Sequence, residues 1–241
     1  MVEMGTKKDA ITHLLNQHRY MTVSQVAENL SISHALVYQY LHDFKRQGKL
    51  FDAGHGVYSS IDTVFSMPKH SRVDTLVKTL NREFPNIKYT IWNTQQLQPL
   101  YLHSQQYHHT FIDVEKIGLN PVYELVKEDY RSTYFSDDNF EVDDNPVVIR
   151  KLVTRAPTDS EQKLLAKILV DMYFDLDDYT YIGRSEYWEV WRGLLSEYRV
   201  PFGWIIGYSK RRNRFKEIFQ GLLEHIGTDE TFLMHIIDEE R

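Results

Sequence analysis

Apolar residues recur at helical spacing in three short blocks at the start of the chain. Ala10, Ile11, Leu14 and Leu15 share one face of a helix predicted over Lys7 to His18, opposite Asn16, Gln17 and Arg19. Tyr20 and Met21 then lead, extended, to Thr22. The Thr22 hydroxyl can accept from a free backbone N–H of the next helix while Gln25 reaches back, the reciprocal arrangement of a capping box. That second helix runs from Val23 to Leu30 and buries Val23, Val26, Ala27 and Leu30. Ser31-Ile32-Ser33 is a short turn that tucks Ile32 inward and offers Ser33 as the next N-cap. In the third helix, His34 to Gln47, Val37, Leu41 and Phe44 form the buried seam, and Gly48 falls where a helix ends in the left-handed conformation. Leu50-Phe51 and Val57-Tyr58 are β-prone runs around Asp52-Ala53-Gly54-His55-Gly56, which signals a hairpin.

Helix, turn, helix and hairpin in that order is the plan of a winged helix-turn-helix. The face of the third helix opposite its seam carries His34, Ala35, Tyr38, Gln39, His42 and Arg46, short, aromatic or forked hydrogen-bonding groups of the kind that meet base edges in the major groove. Lys45, Arg46 and Lys49 follow at its end, placed for phosphate oxygens. With Ser33 at the helix start and His55 in the hairpin loop, these residues are the candidate DNA contacts. The same surface would also serve a protein-docking module, but such a face is more often apolar.

The pattern changes after residue 62. Pro68 to Ser71 reads as a linker, and Val73, Leu76, Val77, Leu80 and Phe84 mark a helix over Arg72 to Phe84. Strands are predicted at Ile87 to Trp92, Thr110 to Val114, Tyr130 to Phe135 and Val147 to Val153. Asn120-Pro121 is expected to open a short helix over Val122 to Glu128, and Asp137 to Asp144 is an acidic loop. From Pro157 onward the pattern is helical: Thr158 to Phe174, Ser185 to Tyr198, Phe202 to Ser209 and Phe215 to Ile226, with Gly227 to Arg241 left as a last turn or a fraying tail. The expected fold is therefore α+β: a winged helix-turn-helix over 1–62, then a mixed α/β domain over 70–241 that ends in a helical bundle.

Composition alters this picture in one respect. The chain of 241 residues carries a net charge of −6, which argues against a nucleic-acid binder until the charges are located. Residues 1 to 62 hold six Lys or Arg and six Asp or Glu, so the whole excess of acid lies downstream. The first module is neutral, and long-range attraction to DNA is modest. No segment is apolar enough to span a membrane and no leader precedes the first helix, so a cytoplasmic location is expected. There is no Cys, which excludes disulfides, thiolate metal sites and a cysteine nucleophile.

YTIWNTQQLQPLYLH (89–103), FIDVEK (111–116), VVIRKLVTRAPT (147–158), KILVDMYFD (167–175) and IGYSKRRNRFKEI (206–218), in that order behind a winged helix, resemble the AbiEi-like antitoxins of type IV toxin–antitoxin systems. The resemblance implies a bacterial abortive-infection protein whose N-terminal domain represses its own operon at promoter DNA. Its C-terminal domain would oppose a nucleotidyltransferase-type toxin of the AbiEii-like kind, without a stable complex between the two being implied.

Other constellations read more simply. Asp113, Glu115 and Lys116 suggest a nuclease core, but Glu115 and Lys116 are adjacent and point to opposite sides of a strand, so a metal-dependent nuclease is the lesser alternative. A winged-helix regulator or interaction module with no toxin partner is the other. The acidic runs lack the ligand spacing of a calcium loop, and Asp171, Asp175, Asp177 and Asp178 read as the exposed end of a helix, with Asp171 the outside candidate for a buried partner of an Arg. Lys210, Arg211, Arg212 and Arg214 form the densest cation cluster, either a partner or nucleic-acid contact or a helix end paired with acids of its own domain. Trp188 and Trp191, three apart, belong to a core stripe. No catalytic residue, cofactor or metal site is assigned.

Overall fold

The computed structural model describes residues 7–103, 107–138, 145–179, 181–227 and 229–239. The first elements are α1 (Lys7–Gln17), β1 (Tyr20–Thr22), α2 (Val23–Leu30), α3 (His34–Arg46), β2 (Phe51–Asp52) and β3 (Val57–Ser59). The middle comprises α4 (Ser71–Glu83), β4 (Tyr89–Asn93), β5 (Thr110–Val114), α5 (Leu119–Asp129), β6 (Thr133–Phe135) and β7 (Val147–Lys151). The helices α6 (Glu161–Asp178), α7 (Arg184–Glu197), α8 (Phe202–Arg211), α9 (Phe215–His225) and α10 (Glu230–Asp238) complete the chain. The protein is thus mixed α/β, and its described residues form two sheets. Among them no helix is long and apolar enough to cross a membrane.

The chain divides into two compact units, but not where the composition shift suggests. The first comprises Met1–Phe65, Gln162–Tyr173 and Trp191–Arg241; the second comprises Ser66–Glu161 and Phe174–Val190. The N-terminal elements therefore do not stand apart from everything after residue 70. They share a unit with the C-terminal helices, and the reason is physical. A segment of some 60 residues buries too little surface on its own to be more than marginally stable, and here it borrows a second core.

In this first unit Ile11, Val26, Val37, Leu41, Phe44 and Leu50 close a small interior between the helices and the sheet, whose order is β1-β3-β2, all antiparallel. Thr22 caps α2 through a full capping box with Gln25, and Ser33 caps α3 by accepting from the Leu36 N–H at 3.4 Å. Gly48 takes φ +67°, as the end of α3 requires.

Tyr20 joins this interior to the C-terminal helices. Its ring meets Phe202 edge-on at 4.8 Å and Phe232 at 5.5 Å, and its hydroxyl donates to the Tyr198 carbonyl while accepting from the Val200 N–H at 2.7 Å. The β2–β3 hairpin is seated as closely. The Gly203 N–H donates to the Ala53 carbonyl at 2.9 Å, and a Cβ on Gly203 would run into the Gly54 carbonyl, so no larger residue fits without moving the hairpin. The tail, read as a last turn or a fraying end, contains the nine-residue helix α10, with Phe232, Leu233 and Ile236 buried. Its apolar stripe acquires meaning only beside Tyr20.

In the second unit the strand order is β4-β5-β7-β6, with β4 antiparallel to β5 and the other three parallel. Val73, Leu76 and Leu80 of α4 and Val122 and Val126 of α5 cover Ile91, Ile112, Val114 and Ile149 on one face. Two local expectations fail here. The polar stretch Asn93 to Gln98, for which the sequence predicts no regular element, belongs to a 3₁₀ helix over Thr94–Leu100 that is capped by Asn93 and Gln96. The α5 helix does not open at Asn120, because a 3₁₀ turn at Lys116–Gly118 runs straight into it and places Pro121 inside the first turn. Of the acidic loop, Asp137 and Asp138 are seen; the run Glu141 to Asp144 lies outside the described residues.

The other face of this sheet carries charge. Thr90, Asp113 and Arg150 stand side by side across β4, β5 and β7. Arg150 donates to Asp113 at 2.8 Å and to Asp175 at 2.9 Å, and the Tyr181 hydroxyl donates to Asp175 at 2.6 Å. Asp113 of FIDVEK is thus an ion-pair partner in a buried network. Beside it, His109 is fully buried between the rings of Phe111 and Tyr181, and burial pushes its pKa down to about 4, with the neighbouring His108 adding to the effect.

A depressed imidazole pKa gives a signed expectation. The unfolded chain binds this proton near pH 6.5 and the folded chain only near 4, so stability is complete above the first value and is lost as pH falls through the second. We expect His109→Phe, which keeps the ring and removes the titration, to flatten the loss of stability between pH 6.5 and 4 by roughly 3 kcal/mol in urea unfolding. An unchanged pH slope would show that His109 does not carry the effect.

Candidate nucleic-acid interface

The seam of α3 faces inward, so its other side is set by the helical period. Ser33, His34, Ala35, Tyr38, Gln39, His42, Lys45 and Arg46 are all exposed along it, and Lys49 is exposed just beyond. Tyr38 is 51% exposed, a large share for an aromatic ring, and marks the centre of this face. Beside α3 lies a hollow of about 610 Å³ lined by Tyr38, Gln39, His42, Asp43, Lys45 and Tyr58. Four of the six are residues that the helical pattern singles out. Tyr58 is the one the helix cannot reveal. It comes from β3, where Val57 and Ser59 are buried and alternation turns the residue between them outward. Its phenol pKa is raised, first by partial burial and then by Asp52 and Tyr38.

Two of the expected phosphate cations have internal partners. Arg46 donates to Asp43 at 2.8 Å and Lys45 to Asp52 at 3.4 Å. All four side chains are about half exposed or more, and exposed pairs of this kind contribute about 0–1 kcal/mol. That is too little to hold the cations from a phosphate. The pairs nevertheless lower the net positive potential of the face, in keeping with the even charge count of this segment.

His55 is exposed but does not line the same hollow. The left-handed turn at Gly54, His55 and Gly56 sets its ring 3.9 Å from that of Trp204, whose ring also meets the Lys163 ammonium at 4.2 Å. The hairpin tip is thereby fixed to the first turn of α8 rather than projecting freely. Nothing in the local sequence signals this, because Trp204 is some 150 residues away.

Each of the C-terminal cations has a partner close by. Arg212 caps the end of α8 and donates to Asp171 at 3.0 Å, and the same carboxylate accepts from the Lys167 ammonium at 2.7 Å and from the Tyr208 hydroxyl at 2.9 Å. Asp171 is therefore the buried partner of an Arg, and neither it nor Asp175, which pairs with Arg150, lies on an exposed helix end as the run of acids suggests. Arg214 pairs with Glu217 across one helical turn, Lys210 lies over the Phe215 ring and Arg211 near that of Tyr208. The left-handed Asn213 turns the chain between α8 and α9. Among the described residues, no three His, Asp or Glu side chains are grouped so as to hold a metal ion.

Residues 36–228 match the model of a family described as of unknown function, DUF6577. The match covers well over half of the chain, and the protein belongs to that family. No curated protein matches it.

Proposed function

We propose that the N-terminal elements α1 to β3 are a winged helix-turn-helix and that the protein is a cytoplasmic, sequence-specific DNA-binding regulator, with α3 entering the major groove. The observation that carries this reading is the exposed face of α3 described above: a continuous run of hydrogen-bonding and aromatic side chains along one side of a capped helix, ending in three cations. In this reading Tyr38, Gln39 and His42 meet base edges, and Lys45, Arg46 and Lys49 meet phosphates. Because its tip is held on α8, the hairpin contributes Tyr58 at its side and not a mobile arm in the minor groove.

The wider role rests on the resemblance to AbiEi-like antitoxins. On that ground the DNA would be the protein's own promoter, and the function that of an autorepressor and antitoxin opposing a nucleotidyltransferase-type toxin. Support for the DNA-binding part comes from geometry, and support for the toxin part from the quoted motifs alone.

The side chain with the most specific chemistry is Gln39, whose amide can pair bidentately with an adenine edge. Gln39→Ala is expected to relax sequence choice at one base pair, with about 1–3 kcal/mol of discrimination lost there and little change in fold. A gel-shift series with single-base variants of the upstream DNA reads this directly. Uniform weakening across all variants would assign Gln39 to the backbone instead.

A further inference from the structure

The second unit has a hollow that the DNA-binding reading does not use. It lies where Leu152 to Thr158 leave the carboxyl end of β7, beside Lys88 and Tyr89 at the start of β4 and Asn81 near the end of α4, and its volume is about 660 Å³. Its position is the first point. β5, β7 and β6 run parallel, and in open sheets of this kind the crevice beyond the carboxyl ends of the parallel strands is where ligands are held. The backbone there is firmly built: the Leu152 N–H donates to the Val114 carbonyl, and Glu115 is bound to the Lys88 backbone twice, through its own N–H and through its carboxylate.

The second point is chemical. The lining includes two cations, Lys88 and Arg155, and two hydroxyls, Thr154 and Thr158, with no carboxylate among its residues. The Tyr89 hydroxyl donates to Asn81 Oδ1, which turns the Asn81 amide nitrogen, a donor, away from Tyr89. Ile87, Leu152 and Ala156 supply an apolar wall, with the Tyr89 ring beside them. Arg155 itself is held at φ +58°, a conformation a side-chain-bearing residue rarely adopts.

Donors of positive charge next to an apolar and aromatic wall fit a ligand that is anionic at one end and flat and apolar at the other. The volume falls within the range of small-molecule sites. We propose that this hollow binds a nucleotide, with Lys88 and Arg155 on the phosphate and the base against Tyr89 and the apolar wall. The site is independent of α3, and so is its test.

Calorimetric titration of the full chain with AMP, ATP, adenosine and inorganic phosphate separates the possibilities. AMP and ATP are expected to bind, with adenosine and phosphate each weaker by about ten-fold or more because each supplies only half of the recognition. The exposed substitutions Lys88→Ala and Arg155→Ala should each weaken AMP several-fold with unfolding midpoints close to that of the parent, whereas Gln39→Ala should leave AMP binding intact. No heat at millimolar nucleotide would overturn the proposal. So would phosphate binding as tightly as AMP, or a single-stranded oligonucleotide binding far more tightly than AMP through the same two cations, which would assign the hollow to a polymer. Undiminished AMP binding in the double variant would place the nucleotide elsewhere.

Discussion

Arg150→Met is expected to destabilise the protein by about 3–5 kcal/mol, read as a lower urea midpoint. The Arg150 side chain is only 11% exposed, and it is the cation shared by Asp113 and Asp175, both of which are buried. Methionine fills much of the same volume and keeps contact with Phe111, over whose ring the guanidinium lies at 4.0 Å. What it removes is the charge. Two carboxylates then remain in a site of low dielectric with Thr90 and Tyr181 as neutral donors, and the loss is dominated by their uncompensated desolvation rather than by packing. The triple variant Arg150→Met, Asp113→Leu, Asp175→Leu should recover much of the loss, because it takes away the orphaned charges as well. A single variant as stable as the parent would mean that the network contributes nothing.

Asp171→Ala should be of similar size, about 3–5 kcal/mol, and acts on the first unit. Here one carboxylate serves two cations and a phenol. Lys167 is 1% exposed and Asp171 4%, so the ammonium cannot turn to water when its partner goes. Arg212 is nearer the surface and loses less. The burial of Tyr208 raises its phenol pKa, with the Asp171 charge second among the causes, so this hydroxyl stays a donor at any ordinary pH. Lys167→Met combined with Asp171→Leu should lie closer to the parent than Asp171→Ala alone, and the comparison of urea midpoints distinguishes a lost ion pair from a lost fold.

The parts of this architecture that were legible in the sequence are those whose cause is local. Thr22 with Gln25, Ser33 before α3 and Gly48 after it declare helix ends within a few residues, and the seam of Val37, Leu41 and Phe44 orients the helix and so its outer face. The parts that were not legible depend on partners far along the chain. The α10 stripe packs against Tyr20, more than 200 residues earlier. The small residue at Gly203 answers to the Gly54 carbonyl. The same non-local contacts explain why the N-terminal elements share a unit with the C-terminal helices instead of ending at residue 62.

The candidate interface divides along the same line. Period and capping place Ser33, His34, Ala35, Tyr38, Gln39, His42, Lys45 and Arg46 on one exposed face, whereas they miss Tyr58, although alternation in Val57-Tyr58-Ser59 is the signal that turns it outward. Charge runs were the weaker guide. Lys210, Arg211, Arg212 and Arg214 crowd together in the sequence, but the run does not show which acids meet them: Asp171 holds Arg212, and Glu217 pairs with Arg214. Lys45 and Arg46 keep their place on the face while sharing it with Asp52 and Asp43, so under the proposed DNA-binding reading sparse, placed contacts would carry affinity that long-range charge does not supply.

The measurement that bears most directly on the central claim is a titration of the full chain against two duplexes of equal length, its own upstream DNA and a scrambled copy, at 50 and 200 mM salt. The α3 reading predicts tighter binding to the upstream duplex by about 10³-fold or more at the higher salt, with a shallow salt dependence that reflects few phosphate contacts. Equal affinity for the two duplexes at both salts would contradict it.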